Sequence, residues 1–158
     1  MKMMKEVRSN YLIETALGVA VVTHSGQVDF GDNPIIEHVI RVYSKALTLE
    51  EKVVSLLHDV LEDSTLYTAE MLLLLGFPSD IIDAVIALTR KDNEDYLTEY
   101  MPRVLSNKLA SRVKLIDLED NMNICRVPSL DHIEDWQSIF YTYSKSREMI
   151  LKKLNGGD

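Results

Sequence analysis

The stretch Leu49 to Asp63, LEEKVVSLLHDVLED, decides how the chain is read. On a helical wheel Leu49, Val53, Leu56, Leu57, Val60 and Leu61 form one apolar face. His58, Asp59, Glu62 and Asp63 fall on the other side, as two pairs one turn apart. Thr48 followed by Glu51 is a capping-box pattern that opens this helix, and it is expected to end near Asp63 and Ser64. Four polar residues opposite an apolar face can simply be solvated. After Lys52, however, this face holds no base to balance its carboxylates. An imidazole beside a carboxylate suits a divalent metal with mixed nitrogen and oxygen ligands. The acidic pair one turn later suits the handling of an activated water.

Outward from this stretch the periodicity is helical almost throughout. A first helix is expected over 10–24, ended by Gly26, and the polar segment 25–33 reads as a loop. Pro34 suits the first turn of a second helix through Lys45. Short helices follow at 68–75 and at 79–90, the latter with Ser79 as N-cap. Further helices are expected at 95–105, from Asn107 to about Cys125, and over 131–154. The last carries the stripe Trp136, Ile139, Phe140, Tyr143, Met149, Ile150 and Leu154, expected to pack on the domain itself. The fold class is therefore all-α, a compact bundle of about seven or eight helices.

The 158 residues suit a single domain with a buried core. A net charge of −8 argues against a nucleic-acid surface, which rests on basic patches. Cys125 is the only cysteine, so neither an intrachain disulfide nor a cysteine-based zinc site is expected, which fits a cytoplasmic setting. Lys2, Lys5 and Arg8 precede an apolar stretch from Tyr11 to Val22, but Glu14 interrupts it and Thr23-His24-Ser25 is a poor cleavage context. That segment reads as an amphipathic helix, and no run reaches the roughly 20 apolar residues of a membrane span. Oligomeric state is not legible.

Two distant positions could complete a site. His38 lies among Ile35, Ile36, Val39, Ile40 and Val42, where a histidine is either a satisfied core residue or a ligand. Asp117 and Asn121 share a strip bordered by Ala110, Val113, Leu118 and Met122. A carboxylate buried there needs a partner, whether a metal or a base such as Arg112 or Lys114. His24 and His132 belong to no acidic constellation of the kind at 58–63, although His24 could support the site from behind.

Taken together, His38, His58-Asp59 and Asp117 resemble the H…HD…D pattern of the HD superfamily of metal-dependent phosphohydrolases. Within it, the chain resembles the hydrolase domain of the RelA/SpoT family and its small stand-alone alarmone hydrolases. The matching segments are Ala16 to Gln27 with His24 and Gly26, Pro34 to Val42, Leu56 to Asp63, Leu88-Thr89-Arg90, and Val113 to Asp117 with Asn121-Met122. They cover about residues 10–125, with a C-terminal packing helix over about 131–154.

The resemblance implies that His38, His58, Asp59 and Asp117 bind one divalent metal, Mn2+ in this family. Glu62 and Asp63 would orient a water or accept its proton, and Asn121 would contact the nucleotide. The implied reaction is 3′-pyrophosphate removal from guanosine 3′,5′-bis(diphosphate) or the pentaphosphate, with no synthetase or regulatory domain expected. The loop after Gln27, Val-Asp-Phe-Gly-Asp-Asn, lacks the basic cluster with which these hydrolases hold the guanine nucleotide. Val39 stands where a proline usually follows the first histidine. Arg90, Lys91 and Arg103 are the alternative phosphate contacts. Two other readings remain: a phosphatase or triphosphohydrolase of another nucleotide, and a non-catalytic nucleotide-binding regulatory domain.

Overall fold

The computed structural model describes residues 2–29, 31–123 and 135–156. It is all-helical; among the described residues the only extended pairing is an isolated bridge between Val28 and Pro34. The helices are α1 (Lys2–Thr23), α2 (Ile35–Lys45), α3 (Leu49–Leu57), α4 (Val60–Asp63), α5 (Ala69–Leu74), α6 (Ser79–Leu88), α7 (Met101–Ser106), α8 (Lys108–Asn121) and α9 (Trp136–Leu154). A π-helical turn, Tyr96–Tyr100, leads directly into α7. Among the described residues no helix is long and apolar enough to cross a membrane.

The centre of the bundle is α3, which packs against α1, α2, α6 and α8. Its sequence allows this because Val53, Val54, Leu56 and Leu57 point in several directions and are all buried. Ser55 and His58 are buried with them, so the final turn of α3 has no solvated side. The two-faced wheel expected over this stretch is thus replaced by an all-round buried turn. Its N-terminus is as expected: Thr48 accepts the Glu51 amide (3.1 Å), and the Glu51 carboxylate receives the Thr48 amide (3.2 Å).

The expected single helix over 49–63 is interrupted at His58 and Asp59. His58 donates Nδ1–H to the Ser55 carbonyl at 2.7 Å, the acceptor that a continuing α-helix would offer to the Asp59 amide. Asp59 then adopts φ −103° and ψ −1°, a sparsely populated region where site residues are often found. The chain resumes as α4, with the Asp63 amide on the Asp59 carbonyl.

Other boundaries moved for identifiable reasons. The first helix begins at Lys2 rather than residue 10, since residues 2–9 contain no breaker. Pro34 and Pro78 occupy the N-cap positions of α2 and α6, so Ser79 is the first helical residue rather than the cap. The helix expected over 95–105 starts with a π turn: Pro102 has no amide to continue the α ladder, and Met101 donates to the Tyr96 carbonyl instead. Asp95 caps that turn through the Leu97 and Thr98 amides. The helix expected to run to about Cys125 ends instead at Asn121, with Met122 as its C-cap, and the last helix starts at Trp136 rather than residue 131, because Asp135 takes a left-handed φ of 56° that an α-helix does not continue through; His132 lies outside the described residues.

The C-terminal α9 lies along α8, with Ile150 fully buried and Tyr143, Met149 and Leu154 against the core. Gly26 takes φ +79°, which only glycine adopts freely, and so turns the end of α1 back on itself. That turn brings the Gln27 side chain against His24.

Leu57 is fully buried immediately before the site. Leu57→Ala is expected to lower stability by about 2–5 kcal/mol, the range for a leucine truncated in a packed core. Urea unfolding followed by circular dichroism measures it.

Candidate metal centre

Four helical segments bring the site together. His38 comes from the first turn of α2, His58 and Asp59 from the break between α3 and α4, and Asp117 from the third turn of α8. His38, His58 and Asp117 are all buried, and one ligand atom from each lies within 4.8 Å of the others. His38 Nε2 is 3.2 Å from Asp117 Oδ1 and 3.4 Å from His58 Nε2. His58 Nε2 is 3.1 Å from Asp59 Oδ2 and 3.8 Å from Asp117 Oδ1. Asp59 stays partly exposed and forms the open edge.

The hydrogen bonds behind the rings assign the tautomers. His38 Nδ1 donates to Asp120 Oδ2 at 2.8 Å, and His58 Nδ1 donates to the Ser55 carbonyl at 2.7 Å. In each neutral ring Nε2 therefore carries the lone pair. Two lone pairs 3.4 Å apart, faced by carboxylate oxygens, demand a cation between them. A proton can fill that role, and so can a divalent metal that accepts mixed nitrogen and oxygen donors. The donor set therefore fits a metal ion.

The protonated alternative is visible in the ionisation of the metal-free site. Burial alone would lower the His38 pKa, but hydrogen bonds to Asp117 and Asp120 and the charges of Asp117 and Asp59 raise it from 6.5 to about 9. His58 is also raised; burial opposes this, and Asp59 outweighs it. Burial would raise Asp117, yet the Lys114 ammonium and His38 hold it well below the usual carboxylate range. Asp59 is likewise lowered against burial, mainly by His58.

Asp117 is braced from two sides. Lys114 Nζ donates to Oδ2 at 2.7 Å, and Asn121 Nδ2 donates to Oδ1 at 2.7 Å. Lys114 is itself nearly enclosed, between the rings of Tyr96 and Tyr100. Of the two partners posed by sequence for Asp117, the base is present: Oδ2 holds Lys114, while Oδ1 faces the histidines. Arg112, the other base considered, pairs with Glu51 instead (3.0 Å).

On α4, Glu62 and Asp63 stand beyond Asp59. Burial raises the pKa of both, and the Asp59 charge adds to it. Glu62 Oε2 accepts the Arg90 backbone amide at 2.9 Å, which ties α4 to the segment after α6. Asp63 Oδ2 lies 3.6 Å from His24 Nδ1, and the same nitrogen is 2.9 Å from Gln27 Oε1. Folding thus brings His24 beside the acidic constellation at 58–63.

The three basic candidates fare differently. Arg103 pairs with Glu94 and also donates to the Thr89 carbonyl at 2.7 Å. Arg90 donates from its guanidinium to the Glu94 carbonyl and lies over the Tyr96 ring. Lys91 is exposed. Asp120 was missed by sequence reasoning, though it lies three residues after Asp117 and therefore on the same face of α8.

The raised His38 pKa sets the sign of a pH effect. The stability it confers on metal-free protein is complete below pH 6.5 and is lost as pH rises through about 9. The expected loss is up to about 3 kcal/mol at roughly 1.4 kcal/mol per pKa unit. Urea midpoints of chelator-treated protein at the two ends of that range measure it. Added divalent metal should flatten the dependence, because the ion takes the place of the proton.

Comparison of the chain with protein-family models and with curated proteins finds no match.

Proposed function

We propose that the protein is a metal-dependent hydrolase of a small phosphorylated nucleotide, of the HD phosphohydrolase type. The observation that carries this reading is the convergence of His38, His58 and Asp117 at one buried point, with Asp59 Oδ2 at its edge, 3.1 Å from His58 Nε2. These four residues would hold one divalent ion, with Mn2+ the choice by resemblance. The chemistry such an ion supplies is Lewis-acid activation of water and phosphate at neutral pH. The lone cysteine, Cys125, fits a cytoplasmic setting.

The chain's own groups divide the remaining work. Glu62 and Asp63, with pKa values raised by burial and by Asp59, accept a proton from water more readily than ordinary carboxylates. The Arg90 amide fixes Glu62, and His24 stands behind Asp63. Lys114 keeps Asp117 ionised. Asn121 already holds Asp117 Oδ1, so its role toward a nucleotide would be shared with bracing that carboxylate. Arg90 and Lys91 are the exposed bases beside α4 suited to phosphate, whereas Arg103 serves Glu94.

By resemblance the leading reaction is 3′-pyrophosphate removal from a guanosine alarmone. One observation favours a second substrate class. The loop after Gln27 is closed on itself by Asp29, whose Oδ1 accepts the Gly31 and Asn33 amides, and no basic side chain projects from it. A phosphatase or triphosphohydrolase acting on another nucleotide needs no basic clamp at that place.

A screen of phosphorylated nucleotides with added Mn2+, detecting pyrophosphate and orthophosphate separately, decides between them. Pyrophosphate from the 3′ position supports the alarmone reaction, orthophosphate alone supports the phosphatase, and no turnover of any nucleotide counts against both. Glu62→Gln is expected to cut kcat by about 10²–10⁴-fold, the usual contribution of a positioned acid or base, while metal binding persists. Asp59→Ala is expected to lose metal binding and turnover together.

A further inference from the structure

We propose that Asp120, anchored by Arg41, is the positioning residue that makes His38 the dominant nitrogen ligand of the site; this rests on the metal-centre reading above. Asp120 is 1% exposed and lies one turn after Asp117 on α8. Helical spacing puts the two carboxylates on opposite edges of one imidazole. Asp117 Oδ1 meets Nε2 at 3.2 Å, and Asp120 Oδ2 meets Nδ1 at 2.8 Å. His38 is thereby fixed in orientation as well as in tautomer.

The two histidines are not equivalent in this respect. His58 donates to a neutral carbonyl, that of Ser55, whereas His38 donates to a carboxylate. A carboxylate acceptor raises the basicity of the opposite ring nitrogen, so His38 is the better donor to a metal. Such a carboxylate is costly to bury without a counter-charge. Arg41 Nε supplies it, 3.1 Å and 3.2 Å from the two Asp120 oxygens, with Lys45 Nζ at 3.6 Å. Arg41 lies three residues after His38 on α2, so one helix presents both the ligand and the clamp on its partner. The same contacts could act only as a tie between α2 and α8, and metal affinity separates the two roles.

The test is Mn2+ titration followed by electron paramagnetic resonance, on full-length wild type, Asp120→Asn, Arg41→Gln and the double variant. Asn keeps the shape and an acceptor oxygen but removes the charge. Asp120→Asn is expected to weaken Mn2+ binding about 10–100-fold, with the circular dichroism of metal-free protein unchanged. Arg41→Gln is expected to weaken binding less, and to add little on top of Asp120→Asn because both act through one contact. Arg41→Gln leaves the carboxylate in place, so it carries the test if Asp120→Asn does not fold. A variant that loses stability but keeps the wild-type Kd assigns Asp120 to the helix tie and overturns the proposal. Wild type that takes up no Mn2+ removes the metal centre as well, whereas wild-type uptake with unchanged variants overturns this inference alone.

Discussion

Two imidazole nitrogens facing each other across 3.4 Å in a buried setting form the constraint around which the bundle is arranged. Neither can be satisfied by the other while both rings are neutral. The surrounding structure serves to make that juxtaposition tolerable. Asp117 and Asp59 supply negative charge on the cation side, and Asp120 and the Ser55 carbonyl take the protons on the far side. Lys114 and Arg41 then offset the buried carboxylates. Removing one of the paired charged members would leave its partner unbalanced in a low-dielectric interior.

The position of α3 makes this possible. It touches α1, α2, α6 and α8, and its last turn is enclosed on every side. An ordinary continuation of that helix would rotate Asp59 about 100° from His58. The break after Leu57, with the Ser55 carbonyl taken by the His58 ring, instead lets two consecutive residues reach one point. The same break sets α4 at the rim, where Glu62 and Asp63 are partly desolvated but open to solvent. Burial increases inward from Glu62 and Asp63 to His38, His58 and Asp117.

Much of the fold was legible because it rests on local signals. The Thr48 and Glu51 capping box, the start of α8 at Asn107 and the glycine turn at residue 26 each act within a few residues. The break at Asp59 and the π turn before Pro102 were not legible in periodicity, since both depend on which carbonyl loses its usual donor. For the site, residue type and spacing marked His58 and Asp59 and left His38 and Asp117 open, and the resemblance joined the four into one set. Asp120 was passed over because an acidic residue on a mixed helix face reads as solvated until a neighbour buries it. Arg103 was named for its charge, and only folding reveals Glu94 against it.

The sequence by itself determined the all-helical class and supplied the imidazoles and carboxylates of the cluster, because helical periodicity and side-chain chemistry are written residue by residue. Tertiary structure alone decided which atoms of those residues face the shared point and which face away. That choice rests on partners far along the chain. His38 meets Asp120 across 82 residues, and the Glu62 carboxylate meets the Arg90 amide across 28. Hydrogen bonds between such distant groups fix tautomer, charge and orientation only once the helices have packed.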